Sequence, residues 1–160
     1  MKSEARRAGG LFISDLSAES GAATLIEALD LYPGARIEFL GYELDGEALQ
    51  ERLEQAAYLV LPTLSHDPMP RALVQAFANG VPVIASRVAS VAELIEPGRN
   101  GLLFDPGSAR ELARRLAWAD AFPEKMRQMG ECARADYQAR YIAKWSYQTL
   151  FGERRRSARV

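Results

Sequence analysis

Short apolar runs alternate with amphipathic stretches along most of the chain. LFIS (Leu11–Ser14), ARIEFLG (Ala35–Gly41), AYLVLP (Ala57–Pro62), VPVIAS (Val81–Ser86) and GLLF (Gly101–Phe104) have the length and composition of strands. AYLVLP and VPVIAS are nearly continuous apolar runs, as expected for strands covered on both faces. The segments between them read as helices. Ser20–Leu31 carries Ala23, Ile26, Glu27 and Leu29 and stops at Pro33-Gly34. Asp45 is placed to cap a helix through Ala56. A helix from Met69 to Ala78 stops at Asn79-Gly80, and a short one over Val91–Ile95 precedes Pro97-Gly98. Ser108 and Glu111 have the spacing of a capping box for a helix to about Ala121. Pro123 opens another to about Tyr137, and Tyr141–Phe151 forms a last, aromatic-rich one. Strands alternating with helices predict an α/β fold, a doubly wound parallel sheet of about five or six strands. Ligands of such sheets sit outside the strands' carboxyl ends. Pro62 and Ser86 are therefore expected to border one cleft.

The 160 residues suit a single domain with a real core. The ordered domain is expected over 11–151, between a polar, frayed segment 1–10 and a basic tail 152–160. A net charge of −1 offers no bulk attraction to nucleic acid. Cys132 and His66 are the only residues of their kinds. That excludes an intrachain disulfide and any metal centre built on several histidines or cysteines. No cofactor or metal is expected, and a reducing, cytoplasmic setting fits best. No apolar run reaches the roughly 20 residues of a membrane span, and 1–10 lacks the apolar stretch of a signal peptide.

The most informative stretch is HDPMPRALVQAFANGVPVIAS (His66–Ser86). Its physics is readable directly. Gly80 closes a helix in a conformation that suits glycine. Pro82 begins a strand, where its missing N–H does least harm. The helix start near Met69 aims unpaired N–H groups at the sheet's carboxyl edge, a ready anion site. A plain strand-helix-strand unit with no ligand has these same features. Three further blocks flank it in order: LFISDLSAESGAATLIEAL (Leu11–Leu29), IEPGRNGLLFDPGSARELARRL (Ile95–Leu116) and YIAKWSYQTLF (Tyr141–Phe151). Together they resemble the C-terminal, donor-binding half of the GT-B glycosyltransferases of family 4, also called glycosyl transferases group 1. The resemblance covers about residues 11–151.

That resemblance implies roles for particular positions. The family's signature carries two acidic residues, one contacting the donor sugar and one the ribose hydroxyls. The matching positions are Asp67 and Gln75, so the second has no charge. Asp67 is the one catalytic candidate, although a turn residue before Pro68 accounts for it equally well. The family places an Arg after the first strand and a Lys at the start of the first helix to neutralise the diphosphate. Here these are Asp15 and Ser20. His66, Met69, Pro70 and Arg71 fall in the same turn and are grouped with the donor site. In the family the catalytic histidine comes from the other domain. Glu93 matches a family Glu, while Ala89 and Ser90 stand where the family often has two glycines. Arg71 and Arg87 are the nearby cations that would partly replace those lost. The strand-helix unit that the family inserts before the FLG strand is absent.

The reading implied is a shortened, degenerate donor-binding domain. The whole enzyme would transfer a hexose from a nucleoside-diphosphate sugar to a glycan or lipid acceptor. This chain would bind the donor weakly, need a separate acceptor-domain chain and be inactive by itself. A non-catalytic relative serving as a binding or interaction module is the alternative. A generic flavodoxin-like module fits the ordered blocks least. The aromatic segment Tyr141–Phe151 is expected to pack back over the domain, since its rings would otherwise leave an apolar patch.

Overall fold

The computed structural model describes residues 9–13, 18–41, 46–65 and 71–141. Five strands form one sheet: β1 (Gly10–Ile13), β2 (Ile37–Leu40), β3 (Tyr58–Leu61), β4 (Val83–Ser86) and β5 (Gly101–Phe104). Their order is β2-β1-β3-β4-β5 and every neighbouring pair is parallel. The helices are α1 (Ala22–Leu31), α2 (Gly46–Gln55), α3 (Arg71–Ala78), α4 (Ala89–Ala92), α5 (Ala109–Ala121) and α6 (Pro123–Asp136). A 3-10 turn, Ala18–Ser20, precedes α1, and a π-helical turn, Tyr137–Tyr141, follows α6. This is the doubly wound Rossmann-like sheet expected from the alternation of patterns. The tail 152–160, the segment 1–8 and the aromatic segment 142–151 lie outside the described residues.

Each face of the sheet has its own apolar cluster. Phe12, Tyr58, Val60, Ile84 and Phe104 pack with Leu25 and Ala28 of α1 and Leu112 and Leu116 of α5. On the other face Leu11, Leu59, Val83 and Ala85 meet Leu49 and Leu53 of α2 and Leu73 and Phe77 of α3. As the continuous apolar runs imply, all of β4 is buried, and so are Tyr58, Leu59 and Val60 of β3. α1 uses different residues from those its pattern suggested. Ala22, Thr24, Leu25 and Ala28 are buried, whereas Ala23 and Ile26 face outward.

α6 belongs to both layers. Met126 and Met129 complete the cluster on the α5 side, and Ala133 completes the one on the α3 side. The crossing is possible because two glycines meet there. A Cβ on Gly130 would lie 2.2 Å from the Gly80 carbonyl oxygen. Gly80 has φ +71°, and the N–H groups of Gly80 and Val81 donate to the carbonyls of Phe77 and Ala76. That is the Schellman closure of a helix. Beyond the crossing, the buried carboxylate of Asp136 accepts two bonds from Arg99, at 2.6 and 2.9 Å, and one from Asn100 Nδ2 at 2.8 Å.

Two caps depart from expectation. Ser108 Oγ accepts from the Glu111 N–H at 3.2 Å, as in a capping box. The Glu111 carboxylate does not reach back to Ser108, however. It accepts from the Asp105 N–H at 2.9 Å, and this bond holds its pKa below the ordinary value. The Ser108 N–H instead donates to the Asp105 carbonyl. α4 begins earlier than expected, at Ala89, and ends at Ala92, which leaves Ile95 as a buried anchor in the following loop.

Candidate functional site

In the order β2-β1-β3 the chain leaves β1 and β3 toward opposite sides of the sheet. The crevice between their carboxyl ends is the position where open α/β sheets bind ligands. The described elements that flank it are the start of α1 and the start of α3. Ser20 ends the 3-10 turn, and its Oγ accepts from the Ala22 N–H at 3.3 Å. Gly21 follows with φ +83°, so close to β3 that a Cβ would lie 1.8 Å from the Pro62 carbonyl oxygen. This contact explains why the helix starts at Ala22 rather than Ser20. The Glu19 carbonyl accepts from the Leu64 N–H at 2.8 Å and from Thr63 Oγ1 at 3.3 Å.

Pro62 and Ser86 both lie at strand carboxyl ends on the same edge of the sheet, as expected. Ser86 is fully buried, and its hydroxyl donates to the Thr63 carbonyl. One hydrogen-bonded chain therefore runs from β4 through the loop after β3 to the turn before α1. Sequence reasoning missed this role of Ser86. The available signal was a small polar residue ending an otherwise apolar strand.

The remaining candidates divide. Arg71 and Gln75 are exposed and one turn apart on α3, so they share a stripe. The Gln75 carbonyl accepts from Asn79 Nδ2 at 2.8 Å, and Asn79 Oδ1 accepts from Gln50 of α2. The stripe thus continues down α3 toward α2. Glu93 is exposed just after α4, and its N–H donates to the Ala89 carbonyl. Arg87 is ion-paired with Asp105, which reduces its availability as a substitute cation. Ser90 Oγ is buried with no hydrogen-bond partner among the described residues. Asp15, His66, Asp67, Met69 and Pro70 lie outside the described residues. Among the described residues no cluster of His, Cys, Asp and Glu is arranged to hold a metal, and no helix is long and apolar enough to cross a membrane.

A concavity of about 560 Å³ is elsewhere. It lies at the amino ends of β1 and β2, lined by Gly10, Arg36, Glu38, Arg52 and Gln55 among others. We assign the candidate site to the carboxyl edge instead, because the starts of α1 and α3 lie there and not at the amino edge.

Residues 11–119 match the family described as Glycosyl transferases group 1. The chain belongs to this family. A putative colanic acid biosynthesis glycosyltransferase, WcaL of Salmonella typhimurium, is 33% identical over an alignment of 99 residues that covers 59% of this chain and 24% of that protein. Among solved structures, Anabaena Alr3699/HepE in complex with UDP and glucose aligns with a TM-score of 0.77 at 21% identity, over 92% of this chain and 48% of that one. The C-terminal domain of LpcC, a glycosyl transferase group 1 family protein from Francisella tularensis, aligns with a TM-score of 0.70 at 18% identity, over 86% of this chain and 93% of that domain. The group 1 chain thus has the GT-B half-domain fold. It spans between 11% and 25% of the length of the curated relatives it matches.

Proposed function

We propose that this group 1 domain binds the nucleoside-diphosphate sugar donor of a two-domain glycosyltransferase. The observation that carries the reading is the crevice between β1 and β3, flanked by the starts of α1 and α3. The α3 start directs backbone N–H groups to the place a diphosphate would take. The complex of HepE with UDP supports the choice of ligand class. The whole enzyme would transfer a hexose to a glycan or lipid acceptor. These residues span about half of HepE, and an acceptor domain outside them would complete the site. The lone cysteine suits a cytoplasmic protein.

By itself the chain is inactive in this reading. Asp15 and Ser20 stand where the family neutralises the leaving diphosphate, and Gln75 stands where it grips the ribose with a carboxylate. Removing stabilisation aimed at a leaving group lowers rates by orders of magnitude. The strand order supports a shortened domain. With the strand-helix unit before the FLG strand absent, that strand, β2, pairs directly with β1 and the order is β2-β1-β3-β4-β5. A non-catalytic relative is the second reading, favoured by the neutral residues at positions 20 and 75.

The test is calorimetric affinity for UDP and GDP, in the wild type and in the Asp15→Arg/Ser20→Lys double variant. Binding should tighten by about 1.5–3 kcal/mol, the scale of charge-assisted hydrogen bonds. No gain would mean that these positions do not face a phosphate. Turnover of any nucleotide sugar by the purified wild-type chain would refute the inactivity.

A further inference from the structure

β2 is the outermost strand, and its outer backbone edge has no partner strand among the described residues. On the α1 side of this edge Phe39 is 42% exposed, although it meets buried Phe12 edge-on with ring centroids 5.3 Å apart. α1, on the same side, adds Ile26 at 53% exposure. On the α2 side Glu38 is ion-paired with Arg52. β2 reads Ile37-Glu38-Phe39-Leu40, with neither Lys nor Pro. It therefore lacks the Lys and Pro that commonly protect an edge, and its one charge, Glu38, is already paired.

We propose that this edge pairs, antiparallel and about a two-fold axis, with β2 of a second copy of the chain, Phe39 opposite Phe39. The register follows from geometry. Residues facing each other across antiparallel strands lie on the same face of the sheet, and faces alternate along a strand. Two identical strands must therefore centre on a residue, not between two. Centring on Glu38 would set two carboxylates directly opposite, which is repulsive. Centring on Ile37 or Leu40 would leave both Phe39 rings without an opposite ring. Centring on Phe39 joins the rings, brings Leu40 opposite Glu38, and puts the two Glu38–Arg52 pairs on the α2 face. There their opposite charges flank the axis as a self-complementary rim. Such an isologous contact closes as a dimer. A four-residue strand with one helix beside it gives an interface at the small end of the specific range, so dissociation should fall in the micromolar range or weaker.

Sedimentation of the full chain over increasing concentration tests this. The mass should rise toward twice that of the monomer, and Phe39→Lys should abolish the rise while keeping the circular dichroism of the wild type. Cysteine scanning in a Cys132→Ser background checks the register without adding charge. Phe39→Cys should cross-link between copies on oxidation. Glu38→Cys should not, because in this register the two positions 38 sit diagonally, beyond disulfide reach. A chain that stays monomeric at all concentrations overturns the proposal, whether or not another protein covers Phe39. So does a dimer that persists in Phe39→Lys, or cross-linking at position 38 as efficient as at 39. None of these readouts depends on nucleotide binding.

Discussion

Single residues at the candidate crevice are held by contacts that leave little room. Gly21 combines a left-handed backbone with an approach to the Pro62 carbonyl that no side chain tolerates. Gly21→Ala should therefore destabilise the fold by at least ~2 kcal/mol, from the φ penalty and the displaced β3 loop together. Urea unfolding of the two proteins would measure it, and a change below 0.5 kcal/mol (roughly the noise of neutral surface changes) would mean the loop yields freely. Local chemistry made Gly80 legible in the sequence, because an Asn-Gly after an apolar helix has few other uses. Gly21 was hidden among Ser, Gly and Ala, all compatible with a helix start, since its reason lies 41 positions away at Pro62. The donor-site assignments of Gln75, Glu93 and Ser20 came from family pattern, and the fold positions Ser20 and Arg71 at the starts of the two helices beside the crevice.

Most elements were legible where an apolar run ended in Gly, Pro or a capping side chain, α4 being the exception. β5 spans Gly101–Phe104 as its pattern indicates, and α6 starts at Pro123. The double service of α6 was not legible. Met126, Met129, Ala133 and Tyr137 are spaced by three or four residues, which reads as one stripe against one partner. Only the crossing of the sheet divides that stripe between two clusters. The end of α6 is secured through the Arg99–Asp136–Asn100 bonds, with Arg99 and then Asn100 holding the Asp136 carboxyl below its ordinary value. A group whose folded pKa is depressed contributes stability that is complete above its unfolded pKa, about 3.9 for Asp, and is lost as pH falls through the folded value. Asp136→Asn should cost on the order of 2 kcal/mol at neutral pH, the scale of a hydrogen bond to a charged group. It should also flatten the loss of stability below about pH 4. Chemical denaturation of both proteins from neutral to acid pH checks both points. An unchanged acid slope would assign that slope to other carboxylates.

The whole molecule was readable as a doubly wound sheet because alternation of strand and helix patterns allows few other folds. Strand order was not readable, since it depends on which face each helix covers. The crossing of α6 over Gly80 has a consequence for how the protein opens. A layer sandwich whose faces had separate helices could lose one face while keeping the other. Here a single rigid segment is common to both, so neither face can open fully without loosening the other. Hydrogen exchange would reveal this as one cooperative unit. Met126→Ala, made on the α5 side, should cost about 2–5 kcal/mol. Amide protection should fall by a similar amount in α3, across the sheet, as in α5. Protection lost only in α5 would show that the two halves breathe separately.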